Sequence, residues 1–182
     1  MNSKTILASI LLFAFGSASA VSAEAVKDQG HGKVTFKGSI ISAPCSISPD
    51  SVDQTVPLGE VSNMALVDGG KSTPRTFDVK LENCNVADIK QGVQLTFTGA
   101  SASFDKTGKT LGIVGTGAGA GVQITNGGGN ILTLGQPTPF QKIQHGDDTL
   151  LFSAYLIGNG GDVSTITSGD FSAVADFTLN YQ

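Results

Sequence analysis

The chain has 182 residues, a formal net charge of −4 and only 14% charged residues, with 24 glycines, ten phenylalanines and no tryptophan. A mildly acidic chain with scattered charges lacks the basic footprint of a nucleic-acid binder. Abundant glycine beside Val, Ile, Thr and Phe, with few helix-forming charged runs, points to an all-β domain.

The chain opens with Lys4, an apolar stretch over residues 6–15, and the small residues Ser17, Ala18, Ser19 and Ala20. That is the layout of a secretory signal peptide. The apolar stretch falls well short of the roughly 20 residues that cross a bilayer as a helix, and no later segment approaches that length, so no stable membrane insertion is expected. Cleavage fits after Ala20 or after Ala23, and the second is favoured. A signal peptide over residues 1–23 leaves 182 less 23, or 159, mature residues, and the loss of Lys4 takes the charge from −4 to −5. Export places Cys45 and Cys84, the only cysteines, in an oxidising compartment where one disulfide is expected. Closing a loop of about 40 residues stabilises by roughly 4 kcal/mol on the chain-entropy model. A metal or redox pair fits less well, since no histidine stands at ligand spacing.

Residues 24–33 are polar and glycine-bearing and read as an extended tail. Val34, Phe36, Ile40 and Ile41 then begin the strands, and Ala43-Pro44-Cys45 breaks regular pairing. Residues 52–58 carry Val52, Val56 and Leu58 around Pro57, the pattern of an edge or irregular strand. Phe77, Val79 and Leu81 alternate with Thr76, Asp78, Lys80 and Glu82, and Val93, Leu95 and Phe97 alternate with Gln94, Thr96 and Thr98; both are half-buried strands. Between them Val86, Ala87, Asp88 and Ile89 suit one helical turn. Shorter strands are expected over residues 111–114, 122–125 and 131–134, a longer one over 149–157, and a last one over 171–181. Seven to nine short strands with frequent turn signals describe an immunoglobulin-like β-sandwich, here without the core tryptophan of antibody domains.

Catalytic chemistry finds little purchase. The run from Gly115 to Gly121 formally contains G-x-G-x-x-A, but a strand-like segment follows it where a dinucleotide site needs a helix, so it reads as a flexible loop and no cofactor is expected. His31 and His145 lie in no nucleophile or metal signature and read as solvated loop residues. Asp147 and Asp148 look like a polar turn before the strand over 149–157. No catalytic residue and no metal ligand are expected.

Four stretches together resemble the chaperone-usher pilins, the major subunits of type 1 and P-type fimbriae. They are Gly32-Lys33-Val34-Thr35-Phe36-Lys37-Gly38 leading to Ala43-Pro44-Cys45-Ser46-Ile47; Val52-Asp53-Gln54-Thr55-Val56-Pro57-Leu58-Gly59; Leu81-Glu82-Asn83-Cys84; and Ala175-Asp176-Phe177-Thr178-Leu179-Asn180-Tyr181-Gln182. Members of that family have a penultimate tyrosine and a glycine at the fourteenth position from the end, matched here by Tyr181 and Gly169.

The resemblance implies an incomplete immunoglobulin-like sandwich, missing its C-terminal seventh strand, over residues 39–182. It implies an apolar groove beside a strand marked by Gly169, Phe177, Leu179 and Tyr181. It also implies a donor-strand extension over residues 24–38, with Gly30, Gly32, Val34, Phe36 and Gly38 on one side. The implied partners are other copies of the pilin, a periplasmic chaperone and an outer-membrane usher, with no nucleic acid. The implied location is an extracellular cell-surface fimbrium, reached through the periplasm and supporting adhesion. A minor or tip-proximal pilin would share every motif. A secreted carbohydrate-binding module would need an aromatic platform that a chain without tryptophan scarcely offers, and nothing singles out the acid/base pair of a secreted hydrolase.

Overall fold

A computed structural model describes residues 29–182; the signal peptide expected at 1–23 and the start of the extension fall outside the described residues. The chain divides into two units, one ending at Ile40 and one running Ile41–Gln182. In the first, residues 29–40 are exposed and form no strand, so the strand expected to begin at Val34 is not formed within this chain. Sequence alternation marks a segment able to pair, but hydrogen bonding needs a neighbour.

Nine strands lie among the described residues of the second unit: β1 Ser46–Ile47, β2 Arg75–Cys84, β3 Val93–Thr98, β4 Thr110–Gly112, β5 Val114–Gly115, β6 Ala120–Asn126, β7 Gly146–Gly158, β8 Phe171–Ser172 and β9 Asp176–Tyr181. They build an antiparallel sheet of order β1-β2-β7-β6-β4, a pair β3-β9 and a short ribbon β5-β8. In β2 the alternation read from sequence is realised: Val79 and Leu81 are fully buried while Lys80 is exposed. Val93, Leu95 and Phe97 face the same core from β3, against Leu150, Phe152 and Leu156 of β7. A phenylalanine cluster joins the two sheets. Phe152 stacks on Phe77 at 5.6 Å and meets Phe97 edge-on at 5.1 Å, and Phe97 in turn lies 6.2 Å from Phe177 of β9.

The disulfide Cys45–Cys84 is formed, with both residues buried. It ties the residue before the two-residue β1 to the end of the ten-residue β2. Just before it, Asn83 takes a positive φ of 54° where the β2–β7 register shifts, and its amide donates to Asp147 Oδ1 at 3.1 Å. Asn tolerates that conformation better than most residues, and such a bulge bends the strand end.

Three expectations are corrected. Residues 52–58 are not a strand: Pro49–Val52 form one helical turn and residues 54–60 have no regular structure. Proline at the first helical position suits that turn. Residues 131–134 contribute only an isolated bridge, Ile131 to Thr125, held by hydrogen bonds from the Leu132 amide to the Ile124 carbonyl at 2.9 Å and from the Asn126 amide to the Asn130 carbonyl at 3.0 Å, before the chain turns at residues 134–135. The glycine run 115–121 is not a flexible loop but packed backbone, with Gly115 in β5 and Gly121 in β6. Glycine falls at every second position, through a segment that bends at Thr116 and Gly119. A Cβ on Gly115 or Gly119 would overlap the carbonyl of Asp170 or Thr165, and one on Gly117 would lie 2.8 Å from the Gly169 carbonyl oxygen. At Gly115, Gly117 and Gly119 this lets residues 165–171 lie directly against the backbone, while Gly121 lies against Thr110, Leu111 and Ala102.

Candidate functional site

The sandwich is not closed. After the helical turn at Pro49–Val52, residues 54–61 run past the core, and none makes a backbone hydrogen bond among the described residues. Across from them the chain passes through β8 into β9, which pairs only with β3 and leaves its other edge open among the described residues. Between these banks lies a cleft of about 1020 Å³. Val56 and Leu58 form one side, Phe171 and Phe177 the other, and Phe77, Phe97 and Ile124 are among the apolar side chains at its base. The open edge of β9 and the irregular segment 54–61, whose backbone groups bond to no other backbone among the described residues, face each other over apolar side chains and leave room for an added strand.

The sequence-predicted groove residues divide. Phe177 and Gly169 line the cleft. Leu179 and Tyr181 continue the inward face of β9 but pack against the core outside the cleft wall. Tyr181 Oη is buried with no hydrogen-bond partner among the described residues, and burial pushes its pKa up. An unsatisfied buried hydroxyl costs about 1–3 kcal/mol. The end of β9 is otherwise well held, with the Gln182 carbonyl accepting from the amides of Gln91 at 2.6 Å and Gly92 at 2.9 Å. Gly169 is required where it stands, because a Cβ there would overlap Thr116 Oγ1 and crowd the Gly117 amide nitrogen. The same crossing is fixed by hydrogen bonds from the Thr116 and Gly117 amides to the Asp170 carbonyl, each 3.0 Å.

In the first unit, Val34 is 75% and Phe36 89% exposed, and a Cβ on Gly30, Gly32 or Gly38 would meet nothing within 4 Å. Two large apolar side chains left in water are costly.

Nothing in the described residues resembles a catalytic or metal centre. Among the described residues, no group of three or more His, Cys, Asp or Glu is placed to hold a metal ion, and no helix is long and apolar enough to cross a membrane. Asp147 and Asp148 sit at the start of β7, where Asp148 accepts from the Gln144 amide at 2.9 Å. His145 is exposed. The most strongly shifted carboxyl, Asp105, is held well below the usual carboxylate range by hydrogen bonds, first from the Thr107 hydroxyl and then from the Thr107 and Lys109 amides, opposed by partial desolvation. Those bonds shape a loop.

The profile of the fimbrial protein family matches residues 34–182. The chain belongs to that family. It is 50% identical to the Fimbria A protein of Serratia marcescens over 98% of both chains, and 49% identical to the Major MR/P fimbria protein of Proteus mirabilis over 85% of this chain and 86% of that one. Among solved structures, a subunit from a chaperone-usher pilus studied for rod uncoiling superposes with a TM-score of 0.72 at 34% identity, covering 85% of this chain and 97% of that one. The pilin is thus a major fimbrial subunit of the chaperone-usher type, a structural protein of a surface pilus and not an enzyme. The open cleft is the corresponding feature of its fold. In the sequence, Pro57 between Val56 and Leu58 places residues 52–58 at an edge or in an irregular strand, but the groove residues predicted from sequence name only the β9 side and not residues 54–61.

Proposed function

We propose that the pilin polymerises by donor-strand exchange, the cleft of one copy receiving residues 30–38 of another. The observation that carries this reading is the cleft itself, an apolar gap beside the open edge of β9, in a protein that also exposes Val34 and Phe36 to solvent. An extended segment entering it pairs with open backbone on both banks, and Val34 and Phe36 bury side chains worth about 1.5–3 kcal/mol each when fully buried. This is β-augmentation. Gly30, Gly32, Val34, Phe36 and Gly38 share one face of the donor because side chains alternate along a strand. Glycine at 32 suits a place where the acceptor backbone comes close. Because donor and acceptor are different surfaces of the same chain, the contact is head-to-tail and propagates as a filament.

Before assembly the open cleft needs another occupant. A periplasmic chaperone supplies a strand there, beside Phe177 and towards Leu179 and Tyr181, and an outer-membrane usher receives the complex. Residues 24–38 are then the donor extension and 39–182 the pilin domain.

The test is denaturing electrophoresis of the surface protein with and without boiling, comparing the full chain with one lacking residues 24–37. A heat-labile ladder that disappears on deletion supports strand exchange. Monomer alone in both preparations refutes it. Replacing Gly32 with a bulky residue is expected to block assembly while leaving the domain folded, and normal assembly of that variant would show the donor register to be wrong.

A further inference from the structure

The walls of the cleft are apolar, but its charged residues are all of one sign. Asp53 and Glu60 stand on the bank formed by the segment after the helical turn, Asp170 and Asp176 on the opposite bank, and no lysine or arginine lines the cleft. All four are exposed, so they form a rim rather than a floor. Arg75 approaches this region, 3.6 Å from where a Cβ on Gly59 would lie, without lining the cleft.

The proposed donor has the opposite character. Residues 30–38 contain Lys33 and Lys37 and no aspartate or glutamate, whereas Glu24, Lys27 and Asp28, earlier in the extension, carry a net −1. In an extended strand the even positions, Gly30, Gly32, Val34, Phe36 and Gly38, fall on one face, and the odd positions, including His31, Lys33 and Lys37, on the other. Once the apolar face enters the cleft, the lysines project outward at the level of the rim.

We infer that the acidic rim of the cleft is an electrostatic guide for the basic outer face of a second copy's donor segment, accelerating its capture and disfavouring acidic strands. The inference rests on the donor-strand reading and adds to it what selects the occupant. Apolar packing holds the strand once it is seated; charge acts earlier, at encounter. Complementary charge chiefly raises association rates and suppresses wrong partners, and it is screened by salt over a Debye length of about 8 Å at physiological ionic strength.

The experiment follows a fluorescent peptide of residues 29–43 binding to the oxidised full-length pilin, by anisotropy, in about 20 mM and about 500 mM NaCl, roughly 25-fold apart in ionic strength and so roughly fivefold apart in Debye length. The association rate is expected to fall roughly tenfold at high salt, and roughly tenfold at low salt when the peptide carries Lys33→Glu and Lys37→Glu. A pilin with Asp53→Asn, Glu60→Gln, Asp170→Asn and Asp176→Asn is expected to lose most of the salt dependence and to bind both peptides at similar rates. The four positions are exposed, and the peptide variants need no folding, so the comparison survives any single poorly behaved protein. Binding of the native peptide at rates within about twofold across salts and charge variants overturns the guiding role and leaves donor-strand exchange standing. Failure of the native peptide to bind under any condition overturns both.

Discussion

Phe36→Ala separates the stability of the subunit from that of the fibre. Phe36 is 89% exposed in the subunit, so truncating it removes almost no buried surface there, and the unfolding midpoint of the monomer is expected to stay within about 0.5 kcal/mol of the parent. On the donor-strand proposal, the same ring passes in the polymer from almost complete exposure into an apolar cleft lined by Phe77, Phe97 and Phe177. Full burial of a phenylalanine is worth about 1.5–3 kcal/mol, and the starting exposure places the loss near the top of that range. At about 1.4 kcal/mol per factor of ten, the donor–acceptor equilibrium weakens by roughly 10- to 100-fold. The assay is paired guanidinium titration of purified fibres, read by loss of the heat-labile ladder, and of monomer, read by circular dichroism. A fibre midpoint unchanged by Phe36→Ala would refute the burial of this side chain in the cleft. A lowered monomer midpoint would mean that Phe36 supports its own domain.

Phe152→Ala has the reverse profile, since Phe152 is 1% exposed and contacts both Phe77 and Phe97; it is expected to cost about 3–5 kcal/mol in the monomer itself, measured by denaturant unfolding. Gly119→Ala, at φ 80° and against the Thr165 carbonyl, is expected to destabilise by more than about 1 kcal/mol, whereas Gly129→Ala, at a similar φ with nothing nearby, is expected to cost less; equal effects in thermal melts would mean that backbone conformation, not close approach, sets the requirement. Because Asp105 has a folded pKa below its ordinary value of 3.8, its contribution is present above about pH 4 and is lost as pH falls through the folded value. Asp105→Asn is therefore expected to flatten the decline of stability below pH 4, read from denaturant midpoints at stepped pH. Tyr181 acts at the other end: its raised pKa means that the unfolded chain ionises first, so stability falls as pH rises past about 10, and Tyr181→Phe is expected to blunt that fall.

The sequence by itself determined the all-β class, the alternating strands around Phe77 to Leu81 and Val93 to Phe97, the disulfide partners and the inward face of the last strand. Each of these follows from local period, composition or the count of cysteines, and needs no knowledge of what lies across the sheet. The tertiary structure alone decided which strand edges stay open. Residues 54–61 and 34–41 carry apolar alternation much like that of a paired strand, yet neither is paired in this chain, because pairing depends on a neighbour that distant sequence must supply. The same holds for Gly115 to Gly121. Glycine at every second position reads locally as freedom, but the backbone of residues 165–171 lies against Gly115, Gly117 and Gly119, and only the absence of side chains there admits it.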